Sequence, residues 1–310
     1  MKTIVIICPV YNEENNIEYF YRSFCEIFEK TENYSFKILF SDNCSTDNSY
    51  KMIKKIAKDD QRVSCISFSK NYGVMKSIYT SFHYFEGDAC AIFDCDLQDP
   101  PELLIDFIKG WEEGNRIVYG KRNKREEKKI LSFFRILQRK LEIIFKGKQT
   151  SVESGAWFLD KIAVEQLKLS RFDPYLPGMI ERLGFERKAV NYQRIDRKFG
   201  KTKFSFSMYT KYGLDGLISG NRSPLKISIY FSIIYGILCL LSSIYFLYAK
   251  FVRQIEFGEG IAAILIIILL SFSLIFFTLS IFGEYIGRLY FKEEDEKLAI
   301  VEKQINQKHK

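Results

Sequence analysis

Ala91-Ile-Phe-Asp-Cys-Asp-Leu-Gln-Asp-Pro-Pro101 turns from apolar to acidic within three residues and sets four oxygen-bearing side chains, Asp94, Asp96, Gln98 and Asp99, at the end of a buried-strand pattern. Clustered acids at a strand end repel one another and lose hydration, so a cation or a proton must compensate them. Oxygen-only donors suit a hard divalent ion such as Mg2+ or Mn2+, and such an ion suits a diphosphate. Asp94, Asp96 and Gln98 are therefore candidate metal ligands, with Asp96 central to any chemistry there. A solvated turn explains Asp99 alone, because Asp-Pro-Pro is turn chemistry and Asp99 is placed to cap a helix beginning near residues 100–102.

Working outward, further apolar runs occupy 3–10, 36–40, 63–68, 89–93 and 117–120, separated by segments with helical spacing. Near-continuous apolar strands alternating with helices predict an α/β fold built on a mostly parallel sheet covered on both faces. A helix is expected from the Tyr11-Asn-Glu-Glu turn to about Lys30, and another over 49–58. Ligands of such sheets bind beyond the carboxyl ends of the strands. That edge collects Pro9, Tyr11, Glu13, Asp42 and Asn71 beside the acidic cluster. No Walker or dinucleotide glycine loop is present, so phosphates must be held by metal and basic side chains.

The composition changes near residue 223. Segments 227–249 and 261–283 contain no Asp, Glu, Lys or Arg, and each is long enough for the roughly 20 residues a bilayer core requires. The larger basic content before residue 222 favours a hairpin with both termini in the cytoplasm. The expected division is a catalytic domain over 1–201, an interfacial helix over 202–222, a two-helix transmembrane region over 223–292 and a polar tail over 293–310. Met1-Lys-Thr runs straight into a strand without signal-peptide character, which keeps the catalytic mass cytosolic.

The chain of 310 residues has 46 Lys and Arg against 38 Asp and Glu. Its basic excess concentrates in 116–146, where eleven Lys and Arg meet three Glu, interleaved with Ile130, Phe133, Phe134 and Leu137 at helical spacing. A basic helix with an apolar stripe suits an anionic membrane surface. Nucleic acid would fit the charge but leave the stripe and the hairpin unexplained. The seven cysteines form no Cys-x-x-Cys pair and there are two histidines, which argues against disulfides, zinc and histidine-based catalysis. Near 200, Arg194, Arg197, Lys201 and Lys203 surround Gly200 and can clamp phosphate.

Pro9-Val-Tyr-Asn-Glu-Glu14, Asp42-Asn-Cys-Ser-Thr-Asp47, Asp94-Cys-Asp-Leu-Gln-Asp-Pro-Pro101, Val118-Tyr-Gly-Lys-Arg122, Gly200-Lys-Thr-Lys-Phe-Ser205 and Gly283-Glu-Tyr-Ile-Gly-Arg288 occur in that order. Together they resemble family 2 glycosyltransferases of GT-A fold, specifically the polyprenyl-phosphate branch that includes dolichol-phosphate mannose synthases. The resemblance implies transfer of one sugar, with inversion, from a nucleotide donor such as a UDP-sugar to a polyprenyl phosphate. It implies that Pro9, Tyr11, Glu13 and Asp42 line the nucleoside pocket and that Asp94, Asp96 and Gln98 hold Mg2+ or Mn2+ on the donor diphosphate. Arg122 and Arg135 would bind phosphate near the reaction centre, with Lys203 as a further phosphate ligand. Asn43 and Cys44 stand where such proteins commonly have Asp-Gly. Membrane lipids are implied partners, and a flippase and self-association are compatible with the role. Two rivals are a processive polysaccharide synthase, which would carry more spans and a Gln-x-x-Arg-Trp motif absent here, and a non-catalytic membrane adaptor, which leaves the acidic cluster unexplained.

Overall fold

The computed structural model describes residues 1–122, 155–170, 173, 175–196, 261–290 and 298–307, with isolated positions between 234 and 253. One eight-stranded sheet organises them. Its strands are β1 Lys2–Val10, β2 Tyr34–Asp42, β3 Val63–Phe68, β4 Ala89–Ile92, β5 Ile117–Arg122, β6 Trp157–Asp160, β7 Arg187–Tyr192 and β8 Val301–Ile305. The order across the sheet is β7-β5-β6-β4-β1-β2-β3-β8. Pairing is parallel except that β6 opposes β4 and β5, and β8 opposes β3. The helices are α1 Ile17–Glu29, α2 Ser49–Asp59, α3 Val74–His83, α4 Leu103–Glu112, α5 Lys161–Leu169, α6 Leu176–Arg182 and α7 Ile261–Tyr290.

β1 reads as an unbroken apolar run because both of its faces are covered. Ile4, Ile6, Cys8 and Val10 enter one core with Phe20, Phe24 and Phe40. Val5 and Ile7 enter the other with Ile78 and Phe82 of α3. The five strands expected from the sequence are all present, so the mostly parallel α/β reading holds. Residues 11–16 form a loop rather than the first turn of α1. β8 lies inside the stretch read as a polar tail, so the sheet is completed from beyond the apolar segments.

α7 runs for 30 residues and leaves Ile264, Phe272, Ile275, Phe276, Leu279 and Phe282 exposed. Among the described residues, no helix is long and apolar enough to cross a membrane. Most of the first expected span, together with the basic segment beyond Arg122 and the interfacial helix over 202–222, lies outside the described residues.

Candidate active site

Four parallel strands end in turns that each contain a residue with positive φ: Asn12 (52°) after β1, Cys44 (60°) after β2, Gly73 (83°) after β3 and Leu97 (49°) after β4. Such backbone is costly for residues with a Cβ and persists where surrounding bonds over-determine it. Here the bonds are visible. The Asn12 amide donates to Ser45 Oγ (2.9 Å), Thr46 N–H donates to Asn12 Oδ1 (2.8 Å) and the Glu13 amide donates to Ser49 Oγ (2.9 Å). The β1 and β2 turns therefore form one braced unit. Since β1 and β4 are neighbours from which the strand order runs in opposite directions, the crevice between their ends is the switch point where ligands of open α/β sheets bind.

On one side of that crevice lie the expected nucleoside residues. Asp42 is 1% exposed and accepts from the Ser45 amide (3.1 Å) and from Ser67 Oγ (2.7 Å). Asn71 Oδ1 accepts from Asn43 Nδ2 and from the Gly73 amide, both at 2.9 Å, so Asn71 braces the turn as well as facing the edge. Tyr11 is exposed there, Pro9 is half-buried, and the Glu13 carboxylate accepts from Asn16 Nδ2 (2.6 Å). Beside Asp42 a cleft of about 210 Å3 is bounded by Ser45, Tyr50, Lys51 and Ser67 and, from β8, by Glu302 and Lys303.

On the other side lie the acids. Asp94 is half-buried, and its carboxyl is pushed up to about 7, first by loss of hydration and then by the neighbouring Asp96 and Asp99; Arg122 and Arg194 oppose the shift. Asp96 is 7% exposed and accepts from the Gln98 amide (3.2 Å). The Gln98 carbonyl accepts from the Ile195 amide (2.9 Å), which ties the acidic turn to the segment after β7. A buried site with three carboxylates against two guanidinium groups has room for added positive charge, and its donors are hard oxygens, so it fits Mg2+ or Mn2+. Among the described residues no three His, Cys, Asp or Glu converge on one point as a complete ligand set.

Asp99 does not cap a helix. α4 begins at Leu103 with Glu102 as its cap residue and no side-chain cap bond, and Asp99 is turned inward, 2% exposed. Arg122 Nη2 donates to Asp99 Oδ2 (3.3 Å), Arg122 Nε donates to Tyr192 Oη (2.9 Å), and Tyr192 Oη donates to Asp99 Oδ1 (2.5 Å). Arg194 Nε lies 3.7 Å from Asp99 Oδ1. Gly155 permits this packing, because a Cβ there would lie 1.9 Å from Arg122 Nη2 and 2.0 Å from Asp99 Oδ2. The sequence reading took Asp99 for a cap, placed Arg194 only within the basic stretch around Gly200, and missed Tyr192 because β7 was not foreseen. Arg135 and Lys203 lie outside the described residues.

A doubly wound sheet with braced turns, a cluster of acids and an arginine at its switch point has the layout of the GT-A fold. The family model of glycosyl transferase family 2 matches residues 5–164, and the chain belongs to that family. It is 35% identical to the putative glycosyltransferase CsbB of Bacillus subtilis (strain 168), over 93% of this chain and 88% of that protein. It is 27% identical to the prophage bactoprenol glucosyl transferase homolog of Escherichia coli (strain K12), over 97% of this chain and 98% of that one. Among solved structures, glucosyl-3-phosphoglycerate synthase from Mycobacterium tuberculosis in complex with Mn2+, UDP-glucose and phosphoglyceric acid superposes with a TM-score of 0.53 at 20% identity, covering 70% of this chain and 79% of that one. At that identity the likeness concerns the fold. The protein is thus a glycosyltransferase.

Proposed function

We propose that the enzyme transfers one sugar from a UDP-sugar to a polyprenyl phosphate at the cytoplasmic face of a membrane, in a single inverting displacement. The observation that carries this reading is the union, in one chain, of an acid-and-arginine edge with an apolar helix whose large hydrophobic side chains are exposed. The bactoprenol glucosyl transferase relative, aligned over nearly the whole chain, supports the same acceptor class. A polyprenyl tail leaves the bilayer at a cost of about 0.8 kcal/mol per exposed CH2, so an enzyme using that acceptor needs its own membrane contact. Ile261–Tyr290 extends about 45 Å at 1.5 Å per residue, and Tyr235 Oη meets Ser271 Oγ and the Ile267 carbonyl (3.3 Å). These contacts join the two apolar segments and favour a hairpin.

A phosphate monoester is already anionic at neutral pH, so the nucleophile needs orientation and partial desolvation rather than a general base. Arg122 lowers the repulsion between the two anionic reactants. Asp94 and Asp96, with Gln98, would hold Mg2+ or Mn2+, which when bound neutralises charge on the departing diphosphate. In this reading the braced β1 and β2 turns hold the nucleoside, with Asp42, Tyr11 and Glu13 lining its pocket.

The test is to incubate the purified full chain with undecaprenyl phosphate and a panel of sugar nucleotides and to identify the lipid product by mass spectrometry. A singly glycosylated lipid is expected. Sugar release to water alone, or a polymeric product, would refute the assignment. Asp96→Asn should reduce turnover at least about 100-fold while leaving the melting temperature close to that of the parent. A well-folded Asp96→Asn enzyme of normal activity would remove Asp96 from the metal site.

A further inference from the structure

We propose that Asp99 and Tyr192 are positioning residues that hold Arg122 and Arg194 side by side as one two-armed phosphate cradle, an assignment that rests on the functional reading above and deepens it. The four residues come from three parts of the fold: Asp99 from the β4–α4 turn, Arg122 from the end of β5, and Tyr192 and Arg194 from the end of β7 and beyond. Asp99 is the pivot. One of its oxygens faces Arg122, and the other receives the Tyr192 hydroxyl and faces Arg194. The same hydroxyl accepts from Arg122 Nε, so Arg122 is fixed through two of its nitrogens. The bond from the Ile195 amide to the Gln98 carbonyl pins the backbone beside Arg194 to the acidic turn.

A guanidinium group carries five N–H donors in a rigid fork. Among the described residues Arg122 commits two of them to Asp99 and Tyr192. Among the described residues the buried Arg194 Nε has no hydrogen-bond partner, since Asp99 Oδ1 at 3.7 Å is beyond hydrogen-bond reach, and a buried donor of that kind calls for a closer acceptor. Among the described residues Asp99 engages only part of either fork, and phosphate is an anion whose spaced oxygens match the donors left over. Fixing two long side chains during folding removes the entropy that would otherwise be lost when phosphate binds. The ligand is a phosphate group, supplied either by the acceptor monoester or by the donor diphosphate.

The experiment measures, for full-length enzyme in nanodiscs, kcat and KM for undecaprenyl phosphate, UDP affinity by calorimetry, and melting temperature. Tyr192→Phe keeps the ring and removes the hydroxyl; it should lower kcat about tenfold with UDP affinity and melting temperature retained. Arg194→Gln should raise the acceptor KM about tenfold, and Arg194→Lys should recover part of that loss because it keeps the charge. A fall in UDP affinity with unchanged acceptor KM would support the cradle and assign it to the donor diphosphate. The cradle is overturned if both variants match the parent in every measurement. It is equally overturned if kcat, both affinities and melting temperature fall together and Arg194→Lys rescues nothing. A parent enzyme that binds UDP but makes no glycolipid would refute the functional reading instead, and the cradle would then be judged on UDP affinity in the same variants.

Discussion

Cys44 occupies left-handed backbone (φ 60°) immediately after the buried Asn43. A glycine tolerates that conformation freely, whereas a residue with a Cβ pays roughly 1–2 kcal/mol, and glycine gives back part of the difference through a more flexible unfolded chain. Cys44→Gly should therefore be neutral or stabilising by up to about 1 kcal/mol, and Cys44→Val destabilising by about 2 kcal/mol, as read from urea midpoints. A Cys44→Val protein as stable as the parent would show that the turn relaxes. Gly155 poses the opposite problem, since its missing side chain is the space in which Arg122 meets Asp99. The Arg122 end and the Asp99 carboxylate must both give way, so Gly155→Ala should cost about 1–3 kcal/mol in stability and at least about tenfold in transfer rate through misplacement of Arg122. Normal kcat in that variant would mean that the position of Arg122 is not critical. The acids were legible in the sequence as a local cluster, as were the turn residues Asp42 and Glu13. Asp99 was not legible, because its partners Tyr192 and Arg194 are about a hundred residues away, and a side chain beside two prolines reads locally as a cap.

Elements separate along the same physical line. β1 to β5 announced themselves because both faces are buried and demand apolar side chains throughout. β7 (Arg187-Lys-Ala-Val-Asn-Tyr) and β8 (Val301-Glu-Lys-Gln-Ile) are the two edges of the sheet, where polar side chains are tolerated, and neither pattern separates from a loop. β8 is held by more than its ladder: Asn306 Nδ2 donates to the carbonyls of Ala57 (2.8 Å) and Val63 (2.9 Å), and the Ala299 amide donates to Thr80 Oγ1 (3.0 Å). Nearby, Asp60 ties three elements together. It binds Arg62 just before β3 and, from its place just beyond the end of α2, accepts from Tyr21 of α1 (2.9 Å). The Arg62 guanidinium, more than compensating for partial burial, holds the Asp60 carboxyl below the ordinary carboxylate range. A depressed carboxylate stabilises the fold above its unfolded value of about 4, and that contribution is lost as pH falls through the still lower folded value. Asp60→Asn should lower the urea midpoint at pH 7 and flatten its decline between pH 5 and 3. If the mutant and parent curves run parallel over that range, Asp60 has no share in the acid sensitivity.

At the scale of the whole molecule, the sheet constrains how the apolar segments can lie. β7 ends at Tyr192 on one edge, and β8 begins at Val301 on the other, hydrogen-bonded antiparallel to β3. A strand cannot pair with β3 from the opposite side of a bilayer, so the chain between residues 196 and 298 must cross a membrane an even number of times or not at all. Under the proposed function the even number is two, with spans near 227–249 and 261–283 and the loop between them on the far side. The charge bias of the sequence points the same way, but only weakly, since Lys250 and Arg253 sit in that loop. The β3–β8 ladder is the stronger argument because breaking it would expose two sheet edges. In inverted vesicles with the cytoplasmic face outward, single cysteines at Gln307 and Glu113 in a cysteine-free background should react with a membrane-impermeant maleimide, while one at Glu256 should react only after detergent is added. Labelling of Glu256→Cys and Gln307→Cys on the same face in intact vesicles would mean that the apolar segments lie along the membrane without crossing it. Protection of Gln307→Cys with labelling of Glu113→Cys would require an odd number of crossings and could not coexist with β8 in the sheet.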